Sequence, residues 1–478
     1  MSIQKLESSH LKTAITFAVV ASVCAGLLLT PIAHAQAQAG SNVTCDSAGV
    51  CSTAPSKTSV AYIDATAVST TATDICSRIN VALNITSLSS GLVVDARGFT
   101  TTAALTCAGN PWTTGSATSR PATILLPVGT ITVGAPWVLP SGTRLIGIGR
   151  DITVISATSS ISSDIIEFGS SSTTVCTTSP CTNINVESLT VDGSNASGST
   201  VNGIVNLYGG SGSGIKNVGI KGVTGTALVV GSATNSLANG SGPYANLTVD
   251  DTGITTSLGT TCVSVTGLSY TFGFRGINCA VLTTSPAFSA FVLNSNGNVF
   301  RDILVTGFVE GFSIGVGTTG KAVGNVIQNM AQSGSSNHAA VRIYGASSRY
   351  AVTNLVLMAI TNKCVSANNT AACYYTIEDE TAPASPVLTV SGFVGVYIVG
   401  DPVPTFGSTY ALSRFQSDPG GDVTNSAPTW LLAPLGASPG TFTGTCAPGS
   451  QMINNTATSG SANVWWVCNS SSVWTNIM

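Results

Sequence analysis

The chain has 478 residues, with 17 Lys and Arg against 20 Asp and Glu and a formal net charge of −3 at pH 7. Charged residues make up 8% of it, hydrophobic residues 43%, and 51 positions are glycine. So little positive charge excludes a basic nucleic-acid-binding chain, and so much apolar content excludes a disordered one. Ser, Thr, Asn and Gly stand where charge is usual, a composition suited to short strands and tight turns rather than helices.

Lys5 and Lys12 precede an apolar run from Ala14 to Leu29 and the exit Pro31-Ile32-Ala33-His34-Ala35. A positive start, an apolar centre and an Ala-x-Ala end predict a secretory signal peptide over residues 1–35, cleaved after Ala35. No second long apolar stretch follows, so no integral membrane segment is expected after cleavage. Of the 13 cysteines, Cys24 leaves with that peptide. The rest fall into near neighbours: Cys45/Cys51, Cys76/Cys107, Cys176/Cys181, Cys262/Cys279, Cys364/Cys373 and Cys446/Cys468. An even set in an exported chain predicts local disulfides and a secreted, periplasmic or cell-surface location. The irregular spacings do not suit a zinc ribbon.

Residues 36–60 form a polar lead-in. Ile75, Ile79, Ala82 and Leu83 then make a short apolar helical stripe between Asp74 and Leu88, with Asp74 placed to cap it. Leu92-Val93-Val94-Asp95 is a strand. From Arg120 to Arg150, three short strands are split by Pro/Gly turns. The positions Leu126, Pro127, Gly129, Thr130, Leu139, Pro140, Ser141, Gly142, Leu145, Gly147 and Gly149 resemble the opening coils of the pectate-lyase superfamily, where such a pattern follows an amphipathic capping helix. The resemblance implies the fold of that superfamily, and these are scaffold positions rather than chemical ones.

An internal repeat supports the same architecture independently. Ser188-Leu-Thr-Val191, Asn217-Val-Gly-Ile220, Asn246-Leu-Thr-Val249, Asp302-Ile-Leu-Val305 and Asn354-Leu-Val-Leu357 each place a polar turn residue before an apolar, variable, apolar sequence. Their starts are 29, 29, 56 and 52 residues apart, one coil or two at a time. A strand-built repeat of this period predicts a solenoid whose coils bury their apolar side on one another. A β-sandwich uses similar strands, but the regular period favours the solenoid. The expected fold is thus all-β: a right-handed, single-stranded parallel β-helix over residues 61–400, including its short N-terminal capping helix. Asn217, Asn246, Asp302 and Asn354 are expected to stack at adjacent corners, as in the asparagine ladders of pectate-lyase-like proteins. Residues 401–445 read as a Pro/Gly/Ser-rich tail. Residues 446–478, bounded by Cys446 and Cys468 and carrying Trp465, Trp466 and Trp474, read as a small disulfide-linked unit that caps the solenoid or contacts carbohydrate.

The repeat also aligns charge. Asp192 and Asp250 follow Val191 and Val249 at equivalent positions, Lys221 lies in the intervening coil, and Asp251 adjoins Asp250. Two carboxylates so separated suit acid and base roles across a glycosidic bond, although Asp-Gly and Asp-Asp-Thr-Gly are also ordinary turn sequences. Polygalacturonase-like hydrolases use an adjacent Asp pair, a further Asp, a His and an Arg-Ile-Lys segment. Asp250-Asp251 resembles the pair, His338 the histidine, and Arg342-Ile343 the start of that segment. Here His338 lies only four residues before Arg342, and no Gly-His-Gly is present. Calcium-dependent lyases of the superfamily instead use several acidic ligands and an arginine, for which Arg275 and Arg301 are candidates. The expected partner is a polysaccharide or surface glycan. The activity expected is cleavage of an acidic polysaccharide, by hydrolysis or by calcium-assisted elimination, with Asp192, Asp250, Asp251 and His338 catalytic and Arg275, Arg301 and Arg342 binding substrate. The alternative is a noncatalytic adhesion or glycan-binding solenoid.

Export sets the first test. N-terminal sequencing of exported protein should read from a start near Gln36, after Ala35, Ala37 or Ala39; material retaining Met1 would remove the case for cleavage.

Overall fold

The computed structural model describes residues 43–45, 50–53, 61–68, 73–85, 91–170, 176, 179–251, 261–268, 270–281, 289–316, 322–334, 339–344, 352–353, 355–364, 375–379, 414–416, 430–432, 451–453, 465–471 and 473–476. It divides into two units, the first comprising residues 1–45 and 51–59. Within that unit, residues 43–45 pair antiparallel with residues 51–53, and Cys45 lies opposite Cys51. All that follows belongs to the second unit.

Its entry is the helix Ile75–Leu83, which is buried along Ile75, Cys76, Ile79, Ala82 and Leu83. Asp74 caps it as expected: its carboxylate accepts from the Ser77 amide at 2.9 Å. A disulfide joins Cys76 to Cys107 and so ties this helix to a short strand of the opening coils. The pairs Cys176–Cys181 and Cys262–Cys279 are also closed. Cys373 and Cys446 lie outside the described residues.

Two parallel sheets build the solenoid. Sheet I runs through Ala61–Asp64, Leu92–Asp95, Ala122–Leu125, Thr143–Ile146, Asn185–Asp192, Gly214–Lys221, Tyr244–Asp251, Phe274–Val281, Val299–Thr306, Val326–Gly334 and Val356–Cys364. Sheet II runs through Trp137–Leu139, Asp164–Phe168, Asn202–Asn206, Thr226–Val230, Thr261–Thr266, Ser289–Asn294, Glu310–Ile314, Ala339–Ile343 and Tyr375–Asp379. From Ala122–Leu125 onward each coil gives one strand to each sheet, so the chain forms a parallel β-helix, wound in the right-handed sense that parallel crossovers impose. A separate five-stranded sheet joins Arg414–Gln416, Trp430–Leu432, Gln451–Ile453, Trp465–Cys468 and Trp474–Asn476.

Repeated apolar positions become stacks in the interior. Tyr244, Phe274 and Phe300 occupy one register and lie face to face, with ring centroids 4.8 and 4.6 Å apart. Phe291 and Phe312 of sheet II stack at 4.3 Å and meet Phe300 edge-on, which locks the two sheets together. Several polar side chains that enter this core satisfy turn backbone. Asn206, fully buried, accepts from the Gly209 amide and donates to Gly209 O and to the Tyr244 hydroxyl. Asn325 accepts from the Asn298 amide at 2.9 Å and donates to Ser295 O at 2.8 Å.

The long strands of sheet I bend at one column. Ser188, Asn217, Asn246, Asp302 and Asn329 all have φ between 54° and 58°, and Gly276 has φ of 65°. The register skips these residues: Glu187 pairs Lys216 and Leu189 pairs Val218, and the same two-sided pattern continues coil by coil. Earlier in the chain the corner is wider, because Thr143–Ile146 and Thr153–Ala157 are separate strands that pair with the two halves of Asn185–Asp192. From Ser188 onward a single left-handed residue replaces that six-residue excursion, an arrangement that suits Asn, Asp and Gly. Their side chains also bond along the column, Asn329 to Asp302 at 2.8 Å and Asn217 to Ser188 at 3.4 Å. Asn217, Asn246 and Asp302 therefore sit in the expected ladder, with Gly276 and Asn329 in the coils that the repeat spacing left unassigned. Asn354 lies outside the described residues, and the pairing of Met330 with Ile360 puts residue 359, not 354, across from Asn329.

Replacing Asn246 by Ala should lower stability by about 1 kcal/mol in denaturant unfolding, since Ala tolerates the left-handed φ of 55° less well than Asn. Asn246→Gly should stay near the wild type. Gly276→Val should cost more than either, because even its Cβ would stand 2.8 Å from Asn246 Oδ1 at a φ hostile to branched residues. Equal midpoints for all three would reject the corner role.

Candidate functional site

On either side of the corner column, outward residues of sheet I line up across the coils. One row is Glu187, Lys216, Ala245, Arg275, Arg301 and Gln328. Lys216, Arg275 and Arg301 are exposed. Arg275 and Arg301 are direct register partners, so their backbones are one strand spacing apart, about 4.8 Å, and Lys216 stands two spacings further along. Glu187 at the end of the row is already taken by Arg144, in a bidentate pair at 2.7 and 2.9 Å. Arg275, itself 77% exposed, lies 3.6 Å from the half-exposed Asp302 of the corner column. No ion pair holds Arg301 among the described residues.

A second row on the far side of the corner contains Asp192, opposite Lys221, and then Asp250. Asp192 Oδ1 accepts from the Ser194 amide and hydroxyl at 2.9 and 2.6 Å, and Lys221 Nζ lies 3.5 Å from Oδ2. It closes a turn as well as facing its neighbours. Asp250 is exposed beside this pair, and Asp251, at the strand end, is in register with Val281. The backbones of Asp192 and Asp250 are about 10 Å apart, two strand spacings.

Between these rows lies an arginine that the repeat does not announce. The corner excursion of the earlier coil carries Arg150 across Gly219 to a hydrogen bond with the Thr248 hydroxyl, 98 residues away. Gly219 makes the passage: a Cβ there would stand 3.1 Å from Arg150 Cγ. Asp151, also left-handed, fixes the base of this arm by bonding through its amide and carboxylate to the Thr190 hydroxyl.

Sheet I thus gathers Asp192, Asp250, Asp251, Arg275 and Arg301 from the expected set. Arg342 is elsewhere, on sheet II. Its guanidinium donates to the fully buried Glu310 at 2.6 Å and lies over the Tyr344 ring, 4.6 Å from its centroid. Glu310 also accepts from the hydroxyls of Tyr344, Ser289 and Ser313. Burial, reinforced by the Glu310 carboxylate, pushes the Tyr344 hydroxyl well above the ordinary tyrosine range. His338 lies outside the described residues. Arg150, Glu310 and Tyr344 were not anticipated, although Arg150 adjoins Gly149 of the opening-coil pattern and Tyr344 adjoins Arg342-Ile343.

Sheet II carries another pair of acids. Asp164 and Glu167 flank two inward residues, Ile165 and Ile166. Burial raises both carboxyls, and the charge of Asp164 raises Glu167 further. Asn202 donates to Asp164 at 2.7 Å and offsets part of its rise. As to metals, the described residues contain no group of three His, Cys, Asp or Glu side chains arranged to hold an ion, and Lys221 stands between the aspartates of sheet I. No described helix is long and apolar enough to cross a membrane.

No protein-family profile matches the sequence, and no curated protein matches it. Among solved structures, the chain is similar to the A-module of the Azotobacter vinelandii mannuronan C-5 epimerase AlgE4, at 12% identity and a TM-score of 0.35, over 81% of this chain and 94% of that module. It is also similar to the A-module of the epimerase AlgE6 from the same organism, at 14% identity and a TM-score of 0.34, over 70% of this chain and 91% of that module.

Glu167 gives a test of these electrostatics with a defined sign. Its carboxyl is raised in the folded state, so the fold binds that proton more tightly than the unfolded chain does, and ionisation at neutral pH costs stability. Glu167→Gln should unfold at a higher temperature than wild type at pH 7. The difference should shrink as pH falls through the raised value and vanish below the ordinary value of 4.5. A pH-independent difference would mean that packing, not charge, decides it.

Proposed function

We propose that this is an exported protein that binds an acidic polysaccharide lengthwise along the outer face of sheet I. The observation that carries the reading is the register-aligned row of exposed Lys216, Arg275 and Arg301, with Arg150 laid across the neighbouring coils. A chain with 8% charged residues has few cations to spend, yet it repeats them on one strand face. The spacing between adjacent strands, about 4.8 Å, is comparable with the advance of one sugar residue along a polymer. A linear polyanion would therefore meet successive donors without bending, and arginine suits the carboxylates of sugar acids.

Cleavage of the bound chain is a second reading, supported by Asp192 and Asp250 on the same face with Asp251 adjoining. Their backbone separation of about 10 Å is near the carboxyl spacing of inverting hydrolysis, in which water enters between base and sugar. One carboxyl would protonate the leaving oxygen while the other activates water. His338 belongs to this proposal only as the expected histidine of the resemblance. Arg342 serves Glu310 on the other sheet.

A panel of acidic and neutral polysaccharides separates these readings. Binding should favour the acidic members, weaken as salt rises, and fall in folded Arg275→Gln and Arg301→Gln variants. Reducing ends without ultraviolet-absorbing products would indicate hydrolysis, and both signals together would indicate elimination. With hydrolysis, Asp250→Asn and Asp251→Asn should be severely impaired; wild-type rates in both would reject that site. Binding indifferent to charge, salt and both arginines would reject the proposed face.

A further inference from the structure

Next to the cation row lies a feature that charge does not explain. Tyr270 is 49% exposed and Phe272 is 64% exposed, and their rings meet edge to face with centroids 6.3 Å apart. Both are more exposed than Tyr62, which at 40% is engaged by its hydroxyl with Asp95. Thr271 between them is buried, while both flanking rings stand exposed.

The preceding coil gives them a bed. Gly240 donates its amide to Tyr270 O at 3.1 Å, and the Phe272 amide donates to Ser241 O at 2.7 Å. A Cβ at Gly240 would stand 3.2 to 3.5 Å from the Tyr270 ring and hydroxyl, and one at Gly242 would stand 3.3 to 3.4 Å from the Phe272 amide and Cβ. Gly240-x-Gly242 thus lies directly beneath Tyr270-x-Phe272, and the aromatic segment is held to it by backbone bonds. The following coil has Asn296, Gly297 and Asn298 at this edge, so the pair is particular to one coil. Phe272 is three residues before Arg275.

We infer that Tyr270 and Phe272 form a stacking subsite for a pyranose ring of the polysaccharide bound on sheet I. This rests on the binding reading proposed above and adds a contact of different chemistry. The face of a pyranose presents axial C–H groups, which pack on an aromatic ring, while its hydroxyls and carboxylate project from the rim. A sugar on this platform leaves its charged rim to water and directs the adjoining residues of the polymer toward Arg275 and Arg301. The platform supplies an apolar term insensitive to salt; the cations supply a salt-sensitive one.

Calorimetric titration of the exported full chain with hexamers of galacturonate, mannuronate and guluronate, and with neutral cellohexaose, tests the subsite. Phe272→Ala and Tyr270→Ala should each weaken binding of an acidic hexamer about ten-fold or less, leave its salt dependence unchanged, and keep the unfolding midpoint, since both rings are exposed. Phe272→Tyr should restore affinity. Arg301→Gln should instead reduce the salt dependence. Wild-type affinity in the double aromatic variant, with the arginine effect intact, overturns the subsite and leaves the cation face standing. Loss in the aromatic variants for acidic hexamers and cellohexaose alike, with no arginine effect, supports the platform and overturns the charge reading. No binding to any hexamer overturns both.

Discussion

Every coil must turn at the same place for its strands to stay in register with the next. In sheet I that requirement falls on one backbone position, held left-handed from Ser188 to Asn329. The position separates two outward rows and sends the residues after it back into the core: Leu189, Val218, Leu247, Ile277, Ile303 and Met330 are all buried. A corner displaced by one residue would invert which side chains face water. The aromatic stacks inside and the cation row outside are therefore two consequences of one conformational constraint.

That constraint explains what could be read from the chain. Asn217, Asn246 and Asp302 stood out because amide and carboxylate side chains tolerate left-handed backbone and so recur before the same apolar pattern. Gly276 meets the same demand by having no side chain, and a glycine among 51 carries little signal. Asn354 imitates the motif, but the paired strand of that coil begins only at Val356. The disulfides Cys76–Cys107, Cys176–Cys181 and Cys262–Cys279 were visible from spacing, as was the capping helix from Asp74 and its apolar stripe. Contacts fixed by coil stacking were not. Arg150 reaches Thr248 and Glu310 reaches Arg342 because coils superimpose, and no local pattern records which loop leans over which neighbour.

Charge scarcity gives the remaining ion pairs a readable division of labour. On sheet II, Glu310 takes Arg342 and three hydroxyls in a largely buried cluster, where removing one partner would strand the other's charge. Asp192 and Lys221, or Glu187 and Arg144, sit at the surface, where pairing contributes little to stability. Their value lies in fixing the positions of charges on the outer face of sheet I.

Stability alone does not account for the exposed members of that face. An arginine 77% exposed gains little from an aspartate 3.6 Å away that is itself half in water. Phe272 gains less, since it is 64% exposed and its ring contact with Tyr270 is edge to face. A solenoid covered by Ser, Thr and Asn satisfies solubility without either. Their coincidence within three residues, at the margin of one strand and over a glycine bed in the preceding coil, places a salt-sensitive donor beside a salt-insensitive platform. A polymer that is charged at the rim of each ring and apolar on its faces has the chemistry to use both.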